Sequence, residues 1–404
     1  MSLPTVNLDE VAAVNPRVSD RPDDETTVSF LGMADVDAST GTTSVGEGRR
    51  FGDVYTGYTQ FIDGDLLIAK ITPCFENGKI VQTTLRHPRG AGSTEFHVVR
   101  PNPERVDARF LLHFLRQPYV RLTGEMRMTG SAGQRRVPDK FIRQLNVPHL
   151  PMSKQRRIVQ VLDQVDALRV KRRETIALLD ELIQSIFLDM FGDPEENPMG
   201  WDSTGFTEIV DGSLRNGLSP SKGGAVVAQV LTLSAITGNH FDPTAFKTAT
   251  FNEKPPASQS VKRGNFLICR GNGNINLVGR GQFPYSHMPD MTFPDTIIAA
   301  QIPNEISRSY LEQVWNSRFV RRQIERSART TNGTFKVNQR ALGAVKILLP
   351  PTDLQWEFDE RVASLSDLRQ QHLAHLAELD SLFASLQHRA FLGELWDDTS
   401  DSAA

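Results

Sequence analysis

The second half of this 404-residue chain repeats the first at a constant offset of 200, which restricts the fold to a duplicated architecture. Gly64, Leu67 and Ile68 of GDLLIAK fall on Gly264, Leu267 and Ile268 of GNFLICR. Pro103 falls on Pro303, Phe110-Leu111 on Tyr310-Leu311, and Val120-Arg121 on Val320-Arg321. Gly133 and Val137 meet Gly333 and Val337; Pro151, Gln155, Asp180 and Phe191 meet Pro351, Gln355, Asp380 and Phe391. LGMADV from Leu31 matches LTLSAI from Leu231 at the same offset, whereas LDEV at Leu8 resembles FTEI at Phe206 after a small shift. The period is far longer than a solenoid repeat, so a whole domain is duplicated in tandem.

Each repeat divides again. Residues 1–150 and 199–349 mix short β-rich runs (LLIAKI, HVVR, LNVPHL; FLICR, TIIAAQI, VKILLP) with Gly, Pro and Asn turns. One amphipathic helix is expected in each, over 110–121 and 310–324. Residues 151–198 and 350–396 read as helical spacers, and 397–404 as an acidic tail. The spacers carry apolar residues at 3–4–3–4 spacing: Val165, Leu168, Ile176, Leu179, Ile183 and Ile186, matched by Leu365, Leu368, Leu376, Leu379, Phe383 and Leu386. That is a coiled-coil seam, with Arg172 and His372 as its expected polar layer and Ser153 and Asp353 as N-caps. A helix of some 38 residues spans about 57 Å, and a narrow apolar stripe that long needs a partner. Pairing with its own duplicate, antiparallel and about a pseudo-twofold axis, is the expectation; packing of the outer faces on another subunit stays open. The fold class expected is α+β: two tandem mixed α/β domains joined by two long antiparallel coiled-coil helices.

Charge becomes informative only locally. The formal net charge is −3, yet Arg121–Arg143 holds six Lys/Arg against two Asp/Glu, and Arg318–Arg329 five Arg against one Glu. Such basic faces suit phosphate contact even on a near-neutral protein. The two cysteines, Cys74 and Cys269, are far apart and form neither a disulfide framework nor a zinc motif. No apolar run approaches the roughly 20 residues of a membrane span, and the start lacks a signal-peptide pattern, so a cytoplasmic protein is expected.

Motifs for catalysis are missing. GSAGQRR (Gly130–Arg136) and RGNGN (Arg270–Asn274) lack the GxxxxGK[ST] spacing that cradles phosphates. No lysine follows an acid by two residues, as in a common nuclease half-site. Asn197-Pro198-Met199-Gly200 lacks the aromatic that stacks a flipped base in amino-methyltransferases. His372 and His375 have no third ligand beside them, and nothing resembles GxSxG. No cofactor or metal is expected on the chain itself.

Two pairs of equivalent loops offer side chains that read base edges and grip phosphate. After the shared strand come Lys70, Thr72, Glu76, Asn77 and Lys79 in the first copy, and Arg270, Asn272, Asn274, Asn276 and Arg280 in the second. After the helix come Ser131, Gln134, Arg135 and Arg136, and then Thr331, Asn332 and Lys336. The frames match while the loops diverge, as expected of two readers of different sequences. Any one Asn-Gly or Gly-rich stretch taken alone is equally a plain turn.

GDLLIAKITPCFENGK, STEFHVVRP, GSAGQRRV and LPMSKQRRIVQVLDQVDAL, followed by a helix ending SIFLDMFGD, resemble type I restriction–modification specificity subunits. The second copy resembles them more loosely, through GNFLICR, TTNGTFKVNQRAL and ILLPPTDLQWEF; Trp356-Glu357 replace the Arg156-Arg157 pair there. The resemblance runs over about residues 3–396. It implies two target-recognition domains, each reading one half of a bipartite, asymmetric site on double-stranded DNA, and helical spacers that set the gap. It also implies two methyltransferase (modification) subunits and restriction/translocase subunits as partners, with S-adenosylmethionine and ATP bound there. A non-catalytic subunit is thus expected. The alternatives are an orphan or other-type restriction specificity module, and a chain that itself methylates or cuts DNA.

Overall fold

The computed structural model describes residues 3–17, 20–131, 133–331 and 333–395. The chain forms two compact units, divided within the two long helices: Met1–Thr175 with His372–Ala404, and Ile176–Gln371.

In the first unit the strand Leu66–Ala69 is buried along its whole length. Successive side chains of a strand point to opposite faces, so a continuous apolar run needs a core on both sides. Both cores are present. Leu66 and Ile68 pack with Phe110, Leu111, Phe114, Ile158 and Leu162, while Leu67 packs with Leu31, Phe61, Val81 and Val98. The strand is central in an antiparallel sheet ordered Ala12–Val14, Phe96–Pro101, Leu66–Ala69, Ile80–Gln82. A second four-stranded sheet is ordered Glu47–Arg50, Thr27–Leu31, Arg89–Gly92, Thr59–Ile62, its middle pair parallel. Thr5–Asn7 and Asn146–Pro148 form a separate antiparallel pair.

The second unit repeats this plan. Asn265–Cys269 is buried throughout, with Phe266 and Ile268 in one core and Leu267 and Cys269 in another. Its sheet runs Arg215–Asn216, Ile297–Gln301, Asn265–Cys269, Gly281–Gln282. The other sheet runs Phe246–Phe251, Val226–Leu231, Met288–Thr292, Ser260–Val261, again with a parallel middle pair. Ser203–Gly205 pairs with Lys346–Leu348. The duplication read from the offset is therefore a duplication of topology, and the mixed α+β class is as expected.

Where one helix was expected per repeat, two short ones form: Ala108–Leu115 and Pro118–Arg127, then Arg308–Trp315 and Arg318–Ser327. Pro118 has no N–H for a continuing helix and starts a new one instead. In the second copy Ser317 takes the cap position in extended conformation. Asp107 and Ser307 cap the first helix of each pair through their side chains.

The long helices span Met152–Phe191 and Thr352–Leu392, about 60 Å each. They begin directly after Pro151 and Pro351, so Ser153 and Asp353 lie inside the first turn and are not the caps. Within each unit the helix segments run antiparallel. In the first, Ile158 and Leu162 share a core with Ala390 and Phe391, whereas Arg172 meets His372. In the second, the Phe191 and Phe358 rings are 5.5 Å apart, and Asp180 accepts from Arg369 at 3.2 Å.

Most of the expected seam faces inward. Val165, Ile176, Leu179 and Ile183 are buried; Ile186, Leu365, Phe383 and Leu386 pack against the cores, and Leu376 and Leu379 are half-buried. Leu168 and Leu368 are corrections, being 52% and 41% exposed. At 3.6 residues per turn the inward position after Val165 falls on residue 169, not 168. Arg169 is 14% exposed and paired with Asp166 and Asp380; Arg369, its duplicate, is 14% exposed and paired with Asp180. The polar layer is thus wider than Arg172 and His372. Among the described residues, no helix is long and apolar enough to cross a membrane.

Candidate nucleic-acid interface

The two loops that follow the strand and the helix, expected as separate candidates, are hydrogen-bonded neighbours in both units. In the first, Val137 N donates to the Lys70 carbonyl at 2.8 Å and Lys70 N to the Glu95 carbonyl at 2.8 Å. Ile71 and Thr129 both bridge to Arg136. In the second, Val337 N donates to the Arg270 carbonyl at 2.9 Å and Arg270 N to that of Thr296 at 2.8 Å. There the bridges lengthen into a ribbon in which Gly271–Asn272 and Arg329–Thr331 flank Thr334–Lys336. Gly133 and Gly333 turn the chain at φ +85° and +74°, a conformation that explains the repeated glycine.

Three of the first unit's loop cations, Arg135, Arg136 and Lys79, are engaged within the protein. The Arg136 guanidinium grips the Glu95 carboxylate, with Nη2 to Oε1 at 2.7 Å and Nε to Oε2 at 3.0 Å. Those bonds hold the Glu95 carboxyl below the usual carboxylate range. Arg135 lies 3.7 Å from Glu76 and 3.9 Å from Glu125. Lys79 donates to the Met33 carbonyl at 2.6 Å, and Thr72 to Glu76 at 2.7 Å. Asn77, Ser131 and Gln134 are exposed, and Lys70 is half-buried. Lys70 also lines a cleft of about 710 Å³ with Arg17, Arg89, Tyr55 and His97. Burial lowers the His97 pKa; its Nε2–H donates to the Val137 carbonyl at 2.9 Å, leaving Nδ1 to accept from Asn15 at 3.2 Å.

In the second unit Arg270 donates to the Asp295 carbonyl at 3.1 Å and Arg280 to that of Thr237 at 2.8 Å. Both brace loops. Asn272 Oδ1 accepts from Asn274 N at 2.9 Å, and Asn274 Oδ1 from Asn276 N at 3.0 Å, two successive Asx turns. Asn274, Asn276 and Lys336 are exposed. Thr331 ends its strand, and Asn332 lies outside the described residues.

The acids that neutralise the first copy's cations escaped the sequence reading, apart from Glu76. Glu95 stands opposite Asp295 at the 200 offset, a signal the divergent loops obscured. Arg17, Tyr55 and Arg89 are gathered by the fold from three separate segments, with no spacing to betray them. Among the described residues no group of three His, Cys, Asp or Glu is placed to hold a metal ion. Burial pushes the Cys269 thiol up to about 11. What this surface presents is amide, hydroxyl and guanidinium groups, the donors and acceptors that contact base edges and phosphates.

Residues 5–179 match the family model described as the type I restriction modification DNA specificity domain. The matched segment lies in the first half of the chain and resembles that domain. Similar type I specificity subunits include those of two restriction enzymes of Escherichia coli. EcoEI is 39% identical over 155 residues, 38% of this chain and 26% of that one. EcoAI is 35% identical over 184 residues, 44% of this chain and 31% of that one. This chain therefore spans less than a third of the length of either relative. The EcoKI specificity subunit of Escherichia coli strain K12 is 25% identical over 270 residues, 62% of this chain and 58% of that one. The S subunit structure from M. genitalium is 14% identical, with a TM-score of 0.48, covering 98% of this chain and 97% of that one. The match covers the first unit's strand-and-loop frame and reaches into the first long helix.

Proposed function

We propose that this chain is the DNA-reading specificity subunit of a type I restriction–modification complex. Each unit reads one half of a bipartite, asymmetric site through the loops that meet beside Lys70 and Arg270. The long helices act as spacers between the half-sites and as the scaffold for two methyltransferase subunits, with restriction subunits joining for cleavage. S-adenosylmethionine and ATP belong to those partners, and the chain itself does no chemistry. It works in the cytoplasm, where the DNA is.

One observation carries the reading. A segment matching a DNA specificity domain is duplicated with its hydrogen-bonded frame kept, and the side chains on that frame are changed. Two different readers on one frame suit two different half-sites. Single-molecule methylome sequencing of a strain with and without this gene tests it. Loss of one split, asymmetric motif on deletion is expected; an unchanged methylome in a strain that expresses the protein refutes it.

A further inference from the structure

We infer that the second unit carries the salt-sensitive phosphate grip, through Arg318, Arg326, Arg329 and Lys336, while the first unit's equivalent loop cations serve as internal framework. This rests on the DNA-reading function above and divides its labour. Among the described residues none of these four cations has a carboxylate partner. All four are exposed. Arg329 and Lys336 are directly opposed across the ribbon. Like charges at that position repel one another and weaken the pair unless an anion sits between them.

The first copy shows the neutralised alternative. Thr129 stands where Arg329 does, and Arg136, at the place of Lys336, is clamped by Glu95. Glu76 becomes Asn276 in the second copy, and Glu95 becomes the shorter Asp295. On the preceding helix, Leu122 and Met126 (61% and 77% exposed) become Arg322 and Arg326. Arg322 is held by Glu195, so Arg318 and Arg326 remain as the unpaired cations of that face. Arg318 and Arg326, about two helical turns apart, are separated by about 12 Å along the axis, between three and four phosphate steps of about 3.4 Å on one DNA strand. A row of unneutralised cations on that scale, running into the ribbon, fits a duplex backbone.

The test is the salt dependence of binding to a random-sequence DNA duplex, measured on the full chain. The triple variant R326Q/R329Q/K336Q should lose about 0.9 in log–log slope per phosphate contact removed, so about 2–3 in all. R135Q/R136Q should keep the wild-type slope and melt at lower temperature. R326K/R329K/K336R should restore the slope, separating charge from folding. A triple glutamine variant that binds with the wild-type slope overturns the inference and leaves the DNA-reading function standing. Wild-type protein that binds no duplex even at low salt sinks both. Independently of DNA, R329Q should raise the melting temperature at low salt and not at high salt, where repulsion is screened; no rise at low salt also counts against it.

Discussion

Arg169 donates from Nε to Asp380 Oδ1 at 2.6 Å, and the duplicates of these two residues, Arg369 and Asp180, make the same pair in the other unit at 3.2 Å. Antiparallel helices copied from one ancestor meet themselves with the partners exchanged. One Arg and one Asp per copy then fix the helix register in both units. Arg169 also lies over the Phe383 ring, 4.4 Å from its centroid, and pairs with the buried Asp166.

Truncating either partner should therefore cost unequal amounts. Arg169→Ala leaves the Asp166 carboxylate buried without its closest cation and should destabilise the first unit by about 3 kcal/mol. Asp380 is 43% exposed, so Asp380→Ala should cost only about 1 kcal/mol. Denaturant melts of the two variants measure the difference. Equal losses would mean that the cross-helix pair, and not Asp166, dominates.

Acid should loosen the first unit through Asp163. Burial raises its pKa, but hydrogen bonds from His113 at 2.7 Å and Arg109 at 2.7 Å outweigh it and hold the carboxyl at about 2. A depressed folded-state pKa gives stability that is present above the ordinary value of 3.8 and lost as pH falls toward about 2. With a third of the side chain exposed, about 1 kcal/mol is at stake. Wild type and Asp163→Asn should thus differ in stability at pH 5 and converge near pH 2. A difference independent of pH would assign the effect to packing.

The duplication, the strands and the class were legible because a constant offset and β-rich runs between turns survive divergence. Leu168 misled because a heptad count places it in the seam, and only the cross-helix partners Asp380 and Asp180 show that Arg169 and Arg369 take the inward place. Pro118 carried the signal of a new helix start, which the single helix expected over 110–121 ran through, whereas Ser317, a residue found anywhere, carried none. At the interface the sequence displayed cations but not their counter-charges. Glu95 meets Arg136 across 41 residues of chain, and that distance in sequence carries no periodicity to read.

Gln155 and Gln355 should prove equally costly to remove. Gln155 is 2% exposed; it accepts from Asp107 N at 2.8 Å and donates to the Arg105 and Leu150 carbonyls at 3.1 and 2.9 Å. Gln355, fully buried, accepts from Ser307 N at 3.2 Å and donates to the Pro350 carbonyl at 2.8 Å. Each amide ties the start of a long helix to the cap of the short one. Alanine at either place strands buried backbone groups and should cost about 2–3 kcal/mol. Thermal melts of both variants would show it, and a loss below about 0.5 kcal/mol at either would mean that water replaces the amide.

Under the proposed function, Asn274 is the residue at which reading can be separated from folding. Its Oδ1 holds the turn by accepting from Asn276 N at 3.0 Å, while its Nδ2 has no partner among the described residues. An asparagine that reads adenine uses both atoms, Nδ2 as donor to N7. Asn274→Asp keeps the acceptor and removes the donor, so the turn and the melting temperature should persist. Recognition of an adenine in the second unit's half-site should weaken by about 1–3 kcal/mol. Asn274→Ala should lose both the turn and the recognition. Methylome mapping beside thermal melts distinguishes the cases: an unchanged motif with Asn274→Asp would leave this residue a turn former, and reading would pass to its exposed neighbours in the same loop.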